Sequence, residues 1–292
     1  MTNLQKSVLN LVKRNASITE IKEILGIDDY RLIRTLKSLE DNGYAALKEY
    51  YASGDVRLNL KKDKEPEKIK IEGVKNHFKI GVVADSHLGS DRERPDYIDM
   101  AANYFESRGI HYVLHGGDFI DGLGKSRFKT LEGEANYALK RYPKANDVTT
   151  FVTLGDHDKQ PLIDEGYNFG KRMENKRLDL VPIGIGYGEI GVGNETIAIL
   201  HKITKKKKSN YESRIILLAH GHKSCCELEE DHLRVRVPPI SDIIIGEVAP
   251  GFLVLYLDLN NQDEILRATV RRMVFADRPL VANEDIFQFK KK

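Results

Sequence analysis

Three short clusters of acidic and histidine side chains occur between residues 85 and 158, and each follows a run of apolar or β-branched residues. The clusters are Asp85-Ser86-His87, Gly116-Gly117-Asp118-Phe119-Ile120-Asp121 and Gly155-Asp156-His157-Asp158. Apolar runs of this length predict buried strands of an α/β sheet. Because ligands bind beyond the carboxyl ends of such strands, we expect the clusters to converge at one edge of the sheet. Carboxylates mixed with imidazoles, without a cysteine among them, favour divalent cations such as Mn, Fe or Zn.

A single cluster of this kind would favour a simpler interpretation, an ordinary strand-end turn in which Asp and Gly serve turn geometry. The series continues, however, with His201 and then with His220-Gly221-His222. A complete series in this order favours a metal site over a set of unrelated turns.

The series resembles the calcineurin-like metallophosphoesterase superfamily, whose pattern is D-x-H, G-D-x-x-D, G-N-H-D/E, H and G-H-x-H. The resemblance covers roughly residues 78–275, and the first two motifs match without exception. It implies an α/β fold, the metallophosphoesterase-type four-layer α-β-β-α sandwich. It also implies two divalent metal ions, with Mn expected and Fe, Zn or Mg as alternatives. The implied reaction is hydrolysis of a phosphate ester by in-line attack of metal-bound hydroxide.

The resemblance also implies a role for each residue of the series. Asp118 would bridge the two metals. Asp121 would not contact a metal but would orient a ligand imidazole through a hydrogen bond. The first metal would be held by Asp85 and His87, and the second by Asp156, His201 and His222. His157 would protonate or stabilise the leaving group, and Asp158 would orient His157.

Two positions depart from the family pattern. Asp156 stands where the family has Asn, and Ser224 stands where the second His of G-H-x-H is expected. In another frame His220-Gly221-His222 forms the H-x-H pair, with Ala219 in place of the motif glycine. Side chains two apart on an extended segment share a face, so this frame also stays open, with His220 as an alternative ligand.

Four consecutive lysines follow His201 closely, and the first two are Lys205 and Lys206. They could attract a polyanionic substrate towards the site. The run is also typical of a solvated loop, and both interpretations stay open.

Residues 1–64 form a separate predicted module of three helices and a β-hairpin, which resembles a winged helix-turn-helix. Residues 65–77 are predicted to be a linker, and residues 78–292 the metallophosphoesterase domain. Nucleic-acid contacts would come from the third helix and the wing, through Tyr30, Arg31, Arg34, Lys37 and Arg57. Twelve Lys and Arg against ten Asp and Glu over residues 1–65 is a weak balance for a duplex binder. Protein contact or homo-oligomerisation through this module is therefore the alternative.

The remainder of the chain predicts a second sheet and contains no membrane span. A helix over residues 131–141, a hairpin over 188–200 and a second sheet completed by residues 235–275 are expected. Forty-six basic residues against 44 acidic ones give a net charge of +2, so bulk charge does not indicate a nucleic-acid binder. The two cysteines, Cys225 and Cys226, are adjacent and cannot form a disulfide framework, which favours the cytoplasm.

Two functions of different classes follow. The first is a two-metal phosphodiesterase or nuclease acting on nucleic acid or nucleotides, because the stretch ending in His87-Leu88-Gly89 resembles the DNA-repair-nuclease branch. The Arg-Gly that follows the second motif in Ser/Thr protein phosphatases is absent, since Asp121 precedes Gly122-Leu123. The second is a winged-helix DNA- or protein-binding regulator whose phosphoesterase domain is degenerate at Asp156 and Ser224.

Overall fold

The computed structural model describes residues 1–41, 44–61, 69–202, 212–221, 225–229, 231–242 and 248–289. Within these ranges the chain forms a mixed α/β fold. The helices are α1 (Asn3–Lys13), α2 (Ile18–Leu25), α3 (Asp29–Glu40), α4 (Pro95–Ser107), α5 (Leu131–Arg141), α6 (Asp156–Glu165) and α7 (Phe169–Glu174). None of these helices is both long and apolar enough to span a bilayer.

The strands alternate with these helices in the middle of the chain and follow one another towards its end. They are β1 (Ala45–Tyr51), β2 (Val56–Lys61), β3 (Lys70–Glu72), β4 (His77–Val83), β5 (Tyr112–His115), β6 (Thr149–Leu154), β7 (Leu180–Ile185), β8 (Tyr187–Val192), β9 (Glu195–Leu200), β10 (Ile215–Leu218), β11 (Cys226–Glu229), β12 (His232–Arg236), β13 (Gly251–Leu259), β14 (Ile265–Phe275) and β15 (Pro279–Gln288).

These strands form two mixed sheets. The first has the order β15-β14-β13-β4-β5-β6-β7, with β4 to β7 parallel, and the second has the order β11-β12-β10-β9-β8-β3-β1-β2. The expectation that residues 235–275 complete a separate second sheet is wrong. Strand β13 pairs antiparallel with β4, so β13, β14 and β15 extend the sheet that carries the first motif, and only β12 lies in the other sheet.

The main core lies between the two sheets. Ile80, Leu114 and Phe151 from the first sheet pack into one buried cluster with Ile197 and Leu217 from the second. Helices α4, α5 and α7 cover the other face of the first sheet and form a second buried cluster with it. Burial on both faces of β5, β6 and the second half of β4 explains why apolar and β-branched residues predominate there.

The N-terminal part contains the three predicted helices and the hairpin. Each helix begins at a side-chain cap: Thr2 and Ser17 form capping boxes with Gln5 and Glu20, and Asp28 accepts a hydrogen bond from the backbone of Arg31. The hairpin β1–β2 joins the second sheet, because β3 pairs in parallel with both β1 and β8. The predicted linker lies partly outside the described residues, and its described part contains β3.

The N-terminal part packs against the segments that precede the parallel strands. Lys48 Nζ donates to the carbonyl oxygen of Leu178 at 3.0 Å, and Lys37 bonds to the side chain of Asn175, both just before β7. The hydroxyl of Tyr112, the first residue of β5, donates to the Tyr51 carbonyl. These contacts lie at the amino ends of β5 and β7, the edge of the sheet opposite the motif turns.

Candidate metal centre

The motif turns hold an unusual backbone at the carboxyl ends of the strands. Asp85, His87, Asp118 and His220 have φ angles of 54°, 41°, 50° and 62°. Non-glycine residues in this left-handed region cost free energy, and such residues cluster at functional sites. Backbone hydrogen bonds fix two of the turns to each other. The amide of Asp85 donates to the Gly117 carbonyl at 3.0 Å, and the amide of His87 donates to the Asp118 carbonyl at 2.9 Å.

Asp118 lies at the centre of the converging side chains. Its Oδ2 atom is 3.1 Å from His201 Nε2, 3.6 Å from His87 Nε2 and 3.8 Å from His220 Nδ1. Asp156 joins the same group, since its Oδ1 atom is 2.7 Å from His201 Nε2 and 3.5 Å from His220 Nδ1. The predicted convergence of residues distant in sequence is therefore present around one carboxylate.

Two sets of potential ligand atoms are compact enough to hold a cation each. Asp85, Asp118, His201 and His220 offer atoms that all lie within 4.8 Å of one another. The second set, with the same limit, consists of His87, Asp121 and His157.

Three imidazoles share one arrangement of their ring nitrogens. Nδ1 of His201 donates to the Gly116 carbonyl at 2.7 Å, and Nδ1 of His157 donates to the Asp121 carbonyl at 2.8 Å. Nδ1 of His87 faces the Asp121 carboxylate at 3.3 Å. An oxygen acceptor on one ring nitrogen fixes the tautomer and leaves the other nitrogen for a metal or a proton. The Nε2 atoms are thus the ones left for chemistry.

The electrostatics of the cluster fit cations. Burial raises the pKa of Asp85 to about 6, and its Oδ1 atom has no hydrogen-bond partner within the described ranges. Burial also opposes ionisation of Asp118, but hydrogen bonds from His201 and His220 outweigh it and lower the pKa of Asp118. Hydrogen bonds to Asp118 and Asp156 likewise hold the pKa of His201 above its ordinary value despite burial. An oxygen and nitrogen donor set of this kind suits divalent ions such as Mn, Fe or Zn.

Close approach at two glycines leaves no room for a side chain around Asp118. A Cβ atom on Gly155 would lie 2.2 Å from Asp118 Oδ1, and one on Gly117 would lie 2.5 Å from His201 Nδ1. Gly117 also has a φ of 99°, which L side chains rarely adopt.

Asp158 does not orient His157 as the resemblance implied. Its carboxylate is buried and accepts hydrogen bonds from the amides of Phe119, Ile120 and Gly155 at 3.1, 2.9 and 2.8 Å. It therefore ties the second motif turn to the third, while the Asp121 carbonyl holds the His157 ring. Burial raises the pKa of Asp158 to about 6, although its three amide donors oppose that rise.

Several predicted residues lie outside the described residues. These are His222 and Ser224 of the last motif and Lys205 and Lys206 of the lysine run. His220, which the alternative frame offers as a ligand, lies in the cluster beside Asp118 and Asp156. His220 therefore lies where the alternative frame requires a ligand.

A buried hydrogen-bond chain behind the site was missed from the sequence. The Gly117 amide donates to His115 Nδ1 at 3.2 Å, so the proton of the neutral ring is on Nε2, which faces Ser86 Oγ at 3.0 Å. Ser86 in turn donates to the Phe119 carbonyl at 3.1 Å. Burial lowers the pKa of His115 to about 3, which keeps the ring neutral. Ser241, also missed, donates to the Asp85 carbonyl at 2.6 Å. No local pattern distinguishes these residues from ordinary strand-end polar residues.

A cavity of about 370 Å³ opens beside the second ligand set. Its walls include His87, Asp118, Asp121, His157 and His220, together with Ser90, Asp91, Arg92, Gly124 and Lys125. The His157 side chain is 39% exposed there, whereas that of His201 is 1% exposed. His157 is thus accessible to a substrate, and His201 is enclosed.

Comparisons with known proteins identify the family. A search of curated proteins found no match. Among solved structures the chain is similar to Vacuolar Protein Sorting 29 from Cryptosporidium parvum (16% identity, 73% of this chain and 99% of that chain, TM-score 0.45). It is also similar to an archaeal phosphodiesterase, with 16% identity over 70% of this chain and 99% of that chain and a TM-score of 0.45. A third similar structure is Yfce, a phosphoesterase from E. coli, with 15% identity over 71% of this chain and 98% of that chain and a TM-score of 0.45. Residues 78–249 match the family described as calcineurin-like phosphoesterase. Because this match covers more than half of the 292 residues, the chain belongs to the calcineurin-like phosphoesterase family.

Proposed function

We propose that the protein is a two-metal phosphoesterase that hydrolyses phosphodiesters of nucleic acids or nucleotides. The observation that carries this proposal is the position of Asp118 Oδ2, which faces nitrogens of His87, His201 and His220 at 3.1 to 3.8 Å. A carboxylate placed in this way can serve two cations at once. Two divalent cations, with Mn the first choice, would polarise the phosphate and acidify an attacking water.

The remaining ligands are assigned by the family pattern, which divides the two compact ligand sets differently between the cations. Asp85 and His87 would hold the first cation with Asp118, and Asp156, His201 and His220 would hold the second. His222 stays a proposed ligand of the first cation in the H-x-H frame. The residue Asp156 would add negative charge where the family has Asn, and Lys202 Nζ, at 3.3 Å from Asp156 Oδ2, offsets part of it.

His157 is the proposed proton donor. Its Nδ1 atom is held by the Asp121 carbonyl, so Nε2 is the nitrogen that can give a proton to the leaving-group oxygen. Burial lowers the pKa of His157, but the hydrogen bond to Asp121 and the nearby carboxylates more than reverse this and raise it. The amide of His157 donates to Asp118 Oδ1 at 3.0 Å, which fixes the donor relative to the central carboxylate.

The N-terminal part is proposed to be a winged helix-turn-helix module that contacts nucleic acid through α3. Tyr30, Arg31 and Arg34 line an open depression of about 500 Å³ on this part. Lys37 belongs less to that surface, because it bonds to Asn175 of the phosphoesterase domain. Arg57 packs over the Tyr51 ring at 4.9 Å and lies 3.7 Å from Asp55. The nucleic-acid contacts that we propose are therefore limited to Tyr30, Arg31 and Arg34 in the first half of α3.

The test of the catalytic proposal is turnover of bis(p-nitrophenyl) phosphate with Mn, together with metal content per chain. We expect about two ions per chain, turnover that EDTA removes, and loss of turnover in Asp118→Asn. An absence of turnover with Mn, Fe, Zn and Mg would instead support the regulator hypothesis, in which the phosphoesterase domain is degenerate.

The proposed DNA contact of the N-terminal module is tested by binding to single- and double-stranded DNA. The Arg31→Ala, Arg34→Ala double variant should bind DNA more weakly than wild-type protein, and the Lys6→Ala variant is the matched control.

A further inference from the structure

Two loops form the rim of the cavity beside His157, and they are joined to each other. Ser90 and Ser126 form an antiparallel β-bridge, and the amide of Arg127 donates to the Gly89 carbonyl at 3.0 Å. Glu134, fully buried on α5, accepts from the amide of Leu123 at 3.1 Å beneath the second loop. The backbone of the rim is therefore held in place, and so are the Cα positions of the side chains that project from it.

Two cations of this rim are neutralised and do not line the cavity. Arg94 bonds to Asp96 and Asp242 and stacks over the Tyr97 ring at 3.5 Å. Arg127 pairs with Glu93, whose other contacts include the hydroxyl of Tyr137. Ion pairs and ring contacts of this kind are sufficient to explain why these arginines are there.

Arg92 and Lys125 differ from Arg94 and Arg127, because they line the cavity and form no ion pair within the described residues. Both line the cavity together with His87 and His157. Neither side chain has an ion-pair partner or a hydrogen-bond acceptor in the part of the chain that the structure describes, although Asp91 stands on the same rim. Their backbones are nevertheless anchored: the amide of Arg92 donates to Ser90 Oγ at 3.2 Å, and the amide of Lys125 donates to the Asp121 carboxylate. Two unneutralised cations therefore project from fixed positions at the cavity.

We propose that Arg92 and Lys125 bind a second anionic group of the substrate, and that the substrate class is a single polynucleotide strand rather than an isolated phosphate ester. The inference rests on the proposed function, in which the carboxylate–histidine cluster and its cations hold the scissile phosphate. That cluster leaves the two basic side chains available for the neighbouring phosphate of the strand. The cavity of about 370 Å³ is larger than a single phosphate group needs.

The physical basis is the charge of the ligand. A phosphate held by Arg or Lys makes a charge-assisted hydrogen bond, and binding it releases counterions from the strand. An ester with a single phosphate offers no second anion, so it gains little from these two cations. The expected signature is a difference between substrates that depends on salt concentration.

The experiment compares the Arg92→Gln, Lys125→Gln double variant with wild-type protein on two substrates, bis(p-nitrophenyl) phosphate and a single-stranded oligothymidylate. We expect KM for the oligothymidylate to rise about tenfold or more relative to the change in KM for the small ester. We also expect the slope of log(kcat/KM) against log[salt] for the oligothymidylate to become shallower by about 0.7 for each phosphate group that the variant no longer binds. Lys129→Gln, an exposed lysine outside the cavity lining, is the matched control and should show neither change.

The outcomes separate this inference from the function on which it rests. If wild-type protein hydrolyses neither substrate with any divalent metal, the proposed function fails. If wild-type protein hydrolyses both, and the double variant loses the two activities in equal proportion or loses neither, the second-phosphate site is wrong while the phosphoesterase stands. A salt slope unchanged by the double substitution would overturn it as well.

Discussion

The helix α6 begins after one glycine and ends before another, and substituting each by alanine separates a steric effect on the metal centre from a general loss of stability. Gly155 has an ordinary extended backbone, with φ −81° and ψ −170°, so alanine is conformationally acceptable there. Its Cβ atom, however, would lie 2.2 Å from Asp118 Oδ1 and 2.4 Å from the Asp118 amide. A carbon–oxygen contact is normally about 3.3 Å or longer, so Asp118 has to move by roughly 1 Å.

We expect Gly155→Ala to lower the affinity for Mn by about 10- to 100-fold, the range seen when the surroundings of a metal ligand are disturbed. Overpacking should also lower the free energy of unfolding by about 1–3 kcal/mol. Gly166→Ala is the matched control, because Gly166 has φ 69° and no atom within 4 Å of an added Cβ. Its cost is conformational only, about 1 kcal/mol, with metal affinity unchanged.

Calorimetric titration with Mn and thermal unfolding in EDTA measure the two effects separately. If Gly155→Ala binds Mn as tightly as Gly166→Ala, then Asp118 is not the central ligand and the assigned centre is wrong.

Three further substitutions test other parts of the site. His157→Ala should lower kcat by about 10²- to 10⁴-fold, remove the high-pH limb of the rate profile and leave Mn content unchanged. Asp85→Asn should abolish Mn binding yet stabilise EDTA-treated protein at pH 7.5 by at most about 3 kcal/mol. The folded pKa of Asp85 is raised to about 6, so its ionisation opposes folding increasingly as the pH rises from the unfolded pKa of about 4, and fully above about 6; urea unfolding at pH 4 should show little gain. Asp158→Asn should cost about 2–4 kcal/mol, because the amide nitrogen would face N–H donors. Asp164→Asn, on the exposed face of the same helix, should cost much less.

The parts of the site that could be predicted from the sequence depend on short-range patterns. The runs before Asp85, Asp118 and Asp156 contain mainly apolar or β-branched residues on both faces of their strands, which is typical of a buried parallel sheet. Parallel strands bring their carboxyl ends to one edge, so the convergence of these residues follows without knowing how the sheets pack. The helix predicted over residues 131–141 agrees with α5, because its apolar spacing and its following Pro143 are local signals as well.

The errors arose where the answer depends on contacts between distant segments. Strand β13 and the strands after it have the pattern of a meander, but the sequence does not show that β13 pairs with β4 rather than with β12. For the same reason Asp158, which directly follows His157 in the third motif, was assigned to that neighbour. Its carboxylate oxygens in fact accept from amides 38 and 39 residues earlier in the chain. The frame of the last motif stays open from the sequence, because both His220 and His222 fit an extended segment. Only a contact between distant segments, the approach of His220 to Asp118, supports His220 as a ligand.

The placement of the N-terminal part limits how it can serve the catalytic centre. It packs at the amino ends of β5 and β7, through Tyr51, Lys48 and Lys37, whereas the Asp118 cluster lies beyond the carboxyl ends. A strand of six residues spans about 20 Å, so a ligand bound to α3 is at least that far from the cavity. A mononucleotide or a small ester cannot touch both places, but a polynucleotide several nucleotides long can. If α3 contributes to catalysis, the Arg31→Ala, Arg34→Ala double variant should therefore impair turnover of long strands and spare that of a dinucleotide, whereas an equal loss on both would place the function of α3 in folding or assembly.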